Sequence, residues 1–243
     1  MTTIELNLGQ IHARMAAACA QANRCVTSVQ LLAVSKTFGA DAVREAVLAG
    51  QRSFGENYIQ EAVEKIAAVR AMQLAGAEAL EWHCIGPIQS NKSRLVAENF
   101  DWAQTVDRLK IAERLSAQRP EGMAPLNICI QVNVDGGSTK SGVMPADVLA
   151  LAEAIVKLPR LVLRGVMSIP DDTPDFEAQC DLHKRAAAIF DAIKASAMPG
   201  LERFDTLSMG MTGDLEAAVT AGSTMVRVGS GIFGKRSYAA ASQ

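Results

Sequence analysis

Leu31-Leu32-Ala33-Val34-Ser35-Lys36 is the stretch on which the reading of this chain turns. Leu31 to Val34 is apolar without alternation, the pattern of a parallel strand covered on both faces. The run then ends in an ammonium, which is costly to bury unpaired. A lysine so placed either snorkels to solvent or carries chemistry. Desolvation or a neighbouring cation can lower the pKa of such an amine, which then condenses with a carbonyl. Schiff-base chemistry is therefore the natural hypothesis for Lys36.

Outward from this strand the same rhythm repeats. Short β-branched runs are expected as strands at Leu31–Ser35, Arg52–Gly55, Trp82–Ile85, Trp102–Val106, Leu126–Val132, Leu163–Ile169, Thr206–Met209 and Thr224–Val228. Helical patterns fill the gaps at Asp41–Ala49, Ile59–Met72, Lys92–Glu98, Asp107–Gln118, Ala146–Val156, Phe176–Lys194 and Leu215–Ala221. One extra helix, about Leu8 to Ala22, precedes the first strand. Strand–helix alternation implies right-handed βαβ units. Eight units favour closure into a single (β/α)8 TIM barrel, α/β in class, with an open doubly wound sheet as the alternative. A chain of 243 residues suits one barrel, so residues 1–243 are expected to form a single domain.

Composition narrows the function. The formal net charge is −2, without the positive excess that neutralising a nucleic-acid backbone requires. No basic start with an apolar run opens the chain, and no apolar stretch reaches the ~20 residues that span a bilayer. Neither a nucleic acid nor a membrane is expected as partner. Cys19, Cys25, Cys84, Cys129 and Cys180 are odd in number and scattered, which reads as reduced thiols in a cytoplasmic protein. His12, His83 and His183 lie far apart, so no metal site is expected.

The remaining unusual residues sit at strand ends, where barrel chemistry collects. Phe54-Gly55-Glu56-Asn57-Tyr58 ends strand two, and Asn57 there reads equally as a site donor or a helix N-cap. His83 reads as a buried core histidine; Gln89, Asn91 and Lys92 read as helix caps. Ser208-Met209-Gly210-Met211-Thr212-Gly213-Asp214 follows strand seven, and Arg227-Val228-Gly229-Ser230-Gly231 follows strand eight. Barrels often bind phosphate in these two loops, through glycine amides, hydroxyls and a helix N-terminus. A lysine for an aldehyde beside a cradle for a phosphate describes pyridoxal 5′-phosphate. The acidic loop Pro170–Asp175 reads as a solvated connection, while Gly136–Gly142 reads as a flexible loop after strand five, on the side of the mouth, with Lys140 either a solvated lysine or a secondary amine.

These residues resemble a known family. Ala33-Val34-Ser35-Lys36, Phe54 to Tyr58, Trp82-His83 to Lys92, Lys140-Ser141-Gly142, Ser208 to Asp214 and Met225 to Gly229 are similar to the motifs of the pyridoxal phosphate homeostasis proteins, also called the YggS or proline-synthetase co-transcribed family. The resemblance runs from about Leu31 to Arg236. It implies a barrel similar to the N-terminal domain of alanine racemase, with the cofactor on Lys36. It also implies a cofactor site of Ser208, Met209, Gly210, Thr212, Gly229 and Ser230 around the phosphate, Arg227 facing the pyridine nitrogen and Asn57 near the ring. Gly213 replaces the usual acidic residue and Ser230 the usual threonine, while Thr212 and Ser230 both keep a hydroxyl.

Arg227 bears on enzyme versus carrier. A guanidinium donates to the ring nitrogen without protonating it well, which weakens the electron sink. A two-base racemase needs a group on each cofactor face. Here the only tyrosines are Tyr58, expected to pack on its helix, and Tyr238 in the tail, and the chain is expected to end with the barrel. The expectation is a carrier that buffers the cofactor and hands it to acceptor apoenzymes, as a monomer or weak dimer. A weak amino-acid racemase and a cofactor-free aldolase using Lys36 stand as alternatives.

Overall fold

The computed structural model describes residues 2–76, 79–137 and 141–234. Lys140 and Tyr238 lie outside the described residues. Eight strands close into one barrel in sequence order: β1 (Gln30–Val34), β2 (Ser53–Glu56), β3 (Glu81–Cys84), β4 (Trp102–Val106), β5 (Leu126–Val132), β6 (Leu161–Ser168), β7 (Thr206–Ser208) and β8 (Met225–Val228). Every pairing is parallel, and β8 closes on β1 with Leu32 opposite Arg227 and Ala33 opposite Val228. The open-sheet alternative is thereby set aside. That register brings the end of β1 beside the end of β8.

Helices α2 (Ala40–Leu48), α3 (Ile59–Ala71), α4 (Ser93–Asn99), α5 (Leu109–Gln118), α6 (Val148–Ile155), α7 (Phe176–Ala195) and α8 (Leu215–Thr220) follow successive strands, and the short α9 (Ser230–Phe233) follows β8. They bury their apolar faces on the outer surface of the barrel, in one large core. Inside the barrel two smaller clusters are separate from it: Trp102, Cys129 and Met167, and Leu32, Val34, Ile85 and Met225. Gly165 marks how tightly the strands approach, since a Cβ there would overlap the Thr206 carbonyl.

The leading helix α1 (Thr3–Gln21) starts five residues earlier than its apolar pattern implied. Thr2 accepts from the Glu5 amide and Glu5 accepts from the Thr2 amide, a capping box that satisfies two otherwise orphaned donors. The helix packs across the last two strand-to-helix loops. Arg14 pairs with Glu216 at 2.8 Å and donates to the Thr212 carbonyl at 2.9 Å, while Asn7 donates to the Ile232 carbonyl at 2.8 Å. Among the described residues no helix is long and apolar enough to cross a membrane.

Candidate functional site

The C-terminal mouth of the barrel holds a cavity of about 470 Å³, within the range of small-molecule sites. Lys36 and Val34 line it from β1, Asn57 from the end of β2, Thr212 and Asp214 from the loop after β7, and Arg227, Gly229 and Ser230 from β8 and its turn. The loop after β6 contributes Ile169, Pro170, Asp171 and Asp172, so the acidic stretch expected to be a solvated connection forms part of the wall. Lys36 stands two residues past the end of β1, half-buried.

Asn57 resolves the choice left by its sequence. The N-cap position of α3 belongs to Tyr58, and Asn57 turns to the cavity instead. Its Oδ1 is buried without a hydrogen-bond partner among the described residues. Gly86 makes room for it, because a Cβ there would overlap the Asn57 carbonyl. Tyr58 is 52% exposed, so it does not pack as expected.

The two glycine-bearing loops meet at the wall. Ser230 Oγ lies 3.4 Å from Thr212 Oγ1. Ser230 opens α9, whose first amides have no intrahelical partner. Gly229 fits where a Cβ would press on the Val34 carbonyl at 3.2 Å. Asp214 closes the other loop: Oδ1 accepts from the Met211 amide at 2.6 Å, and Oδ2 meets His183 Nε2 at 2.9 Å. Burial alone would raise the Asp214 pKa, but His183, the Met211 amide and the nearby Arg227 charge bring it below the ordinary range.

Ser208, Met209 and Gly210 do not line the cavity. Ser208 is fully buried, and its hydroxyl accepts from Arg227 Nη1 at 2.8 Å while donating to Gln104 Oε1 at 2.7 Å. Met209 is sealed in the outer core. Gly210 has φ +93°, and a Cβ there would overlap Ala218; its carbonyl accepts from the Arg227 amide. These residues support the site from behind, because the barrel register turns the loop toward the cavity only from Met211 onward.

Arg227 is 4% exposed. Besides Ser208 it donates through Nη2 to the Ser168 carbonyl at 2.8 Å. Burial pushes its pKa down to about 10, which leaves it charged at neutral pH. From Ser208 the polar chain continues inward, Gln104 Nε2 meeting His83 Nδ1 at 2.8 Å. His83 is fully buried, stacked on Trp102 at 4.9 Å. It is the core histidine its position implied. All five cysteines are free, and only Cys25 is exposed. Among the described residues no histidine, cysteine and carboxylate group could hold a metal.

The family model of the alanine racemase N-terminal domain matches residues 6–237, which gives the class of barrel. The pyridoxal phosphate homeostasis protein of Vibrio cholerae is 52% identical over 240 residues, covering 98% of both chains. That of Escherichia coli K12 is 49% identical over 238 residues, covering 98% of this chain and 99% of its own. The chain belongs to the pyridoxal phosphate homeostasis family. Among solved structures, PipY of Synechococcus elongatus with PLP bound is 35% identical, with a TM-score of 0.81 over 95% of this chain and all of its own. An alanine racemase of Clostridium difficile, 13% identical with a TM-score of 0.71, shares the fold over 57% of its length.

Proposed function

We propose that this protein holds pyridoxal 5′-phosphate on Lys36, buffers it and hands it to acceptor apoenzymes, as a cytoplasmic carrier with no strong turnover of its own. The observation that carries the reading is that Lys36, Arg227, Thr212, Gly229 and Ser230 open into one cavity. Residues 1–243 act in this reading as a single cofactor-binding domain, as a monomer or weak dimer. Relatives named for pyridoxal phosphate homeostasis, and PipY with PLP bound, support it.

The residues present fit that cofactor. Asn57 offers a buried polar atom that lacks a partner among the described residues, Gly229 leaves backbone approachable, and the paired hydroxyls of Thr212 and Ser230 line the same cavity as the Arg227 guanidinium. When bound, the cofactor supplies an aldehyde that links reversibly to a primary amine with loss of water. Lys36 is the amine for that link. Thr212, Ser230 and the amides at Gly229 and Ser230 would hold the phosphate by charge-assisted hydrogen bonds. Two of the five donor protons of Arg227 are committed to Ser168 and Ser208, and one of the others would be available to the pyridine nitrogen. Its lasting charge favours donation over proton transfer, which weakens the ring as an electron sink but by itself does not forbid racemisation. Among the described residues the lining includes Asp171, Asp172 and Asp214 but no tyrosine, histidine or cysteine.

An absorbance spectrum of the purified protein before and after adding pyridoxal phosphate tests the reading. A visible band should appear that borohydride traps, and Lys36→Ala should lose both. Turnover of any amino acid by the loaded protein at about 1 s⁻¹ or faster would overturn the carrier assignment.

A further inference from the structure

We infer that Lys65, outside the cavity, is the positioning residue that aims Lys36. The inference rests on the reading of Lys36 as the attachment amine. Lys65 lies on α3 and is 5% exposed. An ammonium has three protons to donate. Lys65 Nζ meets three acceptors: the Ser35 carbonyl at 2.8 Å, Glu56 Oε1 at 2.6 Å and Glu61 Oε1 at 3.0 Å.

Those acceptors bracket Lys36. The Ser35 carbonyl belongs to the peptide that enters Lys36. Glu61 Oε1 also accepts from the Thr37 amide at 2.8 Å, and that amide belongs to the peptide that leaves it. Glu56 Oε1 accepts from the Ser35 hydroxyl at 2.6 Å as well. One charged cluster thus grips both peptide groups flanking Lys36. Thr37 has φ +69°, a left-handed conformation that a threonine keeps only where its surroundings impose it.

A purely structural role explains this poorly. A buried ion pair is a weak source of net stability, and packed apolar side chains would serve as well. Apolar side chains could not hold the Ser35 carbonyl or the Thr37 amide. The four-carbon stem of a lysine is flexible, so its reach into the cavity depends on where its Cα points. Fixing the two peptides fixes that direction.

The test compares two ligands on the full-length protein: pyridoxal 5′-phosphate, and pyridoxine 5′-phosphate, which has the same ring and phosphate but an alcohol in place of the aldehyde. Lys65→Met should cut the preference for the aldehyde by about tenfold or more, since small misplacements of a reacting group cost that much. Glu61→Leu, at a half-exposed position where folding is safer, should cut it in the same direction, and Glu61→Gln should restore most of it by keeping an oxygen for Thr37. If both affinities fall together in Lys65→Met and Glu61→Leu, or neither falls, the inference is overturned. Should Lys65→Met fail to fold, the two Glu61 variants decide alone. If the unaltered protein shows no preference for the aldehyde, the attachment role of Lys36 fails first, and this inference with it.

Discussion

Arg227 donates to Ser208 at 2.8 Å, and Ser208 passes the direction on, its own proton going to Gln104. A guanidinium can only donate, so the Ser208 oxygen must accept and its proton must point to Gln104 Oε1. The Gln104 amide then donates to His83 Nδ1, which places the ring proton on Nε2. A cation at the cavity wall therefore orients a line of neutral dipoles through the barrel interior. The return effect is that the line holds the guanidinium in place.

Ser208→Ala should expose that dependence. It leaves a proton of Arg227 and the Gln104 oxygen buried without partners, each costing about 1–3 kcal/mol. We expect a lower urea midpoint and roughly tenfold weaker cofactor binding, although Ser208 does not line the cavity. Ser208→Thr, which keeps the hydroxyl, should lose less of both. A Ser208→Ala protein as stable as the parent would refute the linkage.

His83 should give stability a dependence on pH. Burial, followed by the positive charge of Arg164, pushes its pKa down to about 3, whereas an unfolded histidine titrates near 6.5. With a depressed folded value, the contribution is complete above about pH 6.5 and drains away as pH falls toward 3, on the order of 5 kcal/mol in all. Equilibrium unfolding of His83→Gln across this range should show a shallower acid limb than the parent. Parallel limbs would mean the ring gains protons as easily folded as unfolded.

Gly86→Ala should act on the site from outside it. The added methyl must displace the Asn57 carbonyl, an overpacking that costs about 1–3 kcal/mol. Affinity for pyridoxine 5′-phosphate, which cannot link to an amine, should fall because Asn57 moves. Unchanged affinity with lowered stability would restrict Gly86 to a packing role.

Ligand should raise the melting temperature by mass action, about 2.7 kcal/mol at a hundredfold excess over Kd. In Lys36→Ala, pyridoxal phosphate and pyridoxine phosphate should stabilise equally, since both then bind through phosphate and ring alone. Calorimetry with each ligand checks this, and a surviving advantage of the aldehyde in the variant would point to another amine.

The sequence made the barrel legible because buried parallel strands leave continuous apolar runs, and strand limits such as Trp102–Val106 coincide with the structure. Lys36, Asn57, Thr212, Arg227, Gly229 and Ser230, which line the cavity, were legible as candidates because each lies at or just past a strand end. Ser208, Met209 and Gly210 looked equally suitable, since a glycine-bearing loop carries no mark of which residue faces inward. That is decided by pairing with strands far away in the chain. The early start of α1 was readable from Thr2 and Glu5, three residues apart, but only through capping and not through apolar period. The local signal of Lys65 was only its i,i+4 spacing from Glu61. A lysine inside a helix reads as a solvated face, and its three acceptors come from three different segments.

The brace between α1 and the last two loops has a consequence for how the chain is made. Asn7 and Ile232 are 225 positions apart, and Arg14 and Thr212 are 198. On the ribosome the first helix emerges long before its partners, so the brace forms only after the loops following β7 and β8 have been made. A nascent chain presents Lys36 long before Thr212 and Ser230, which line the same cavity, have been made.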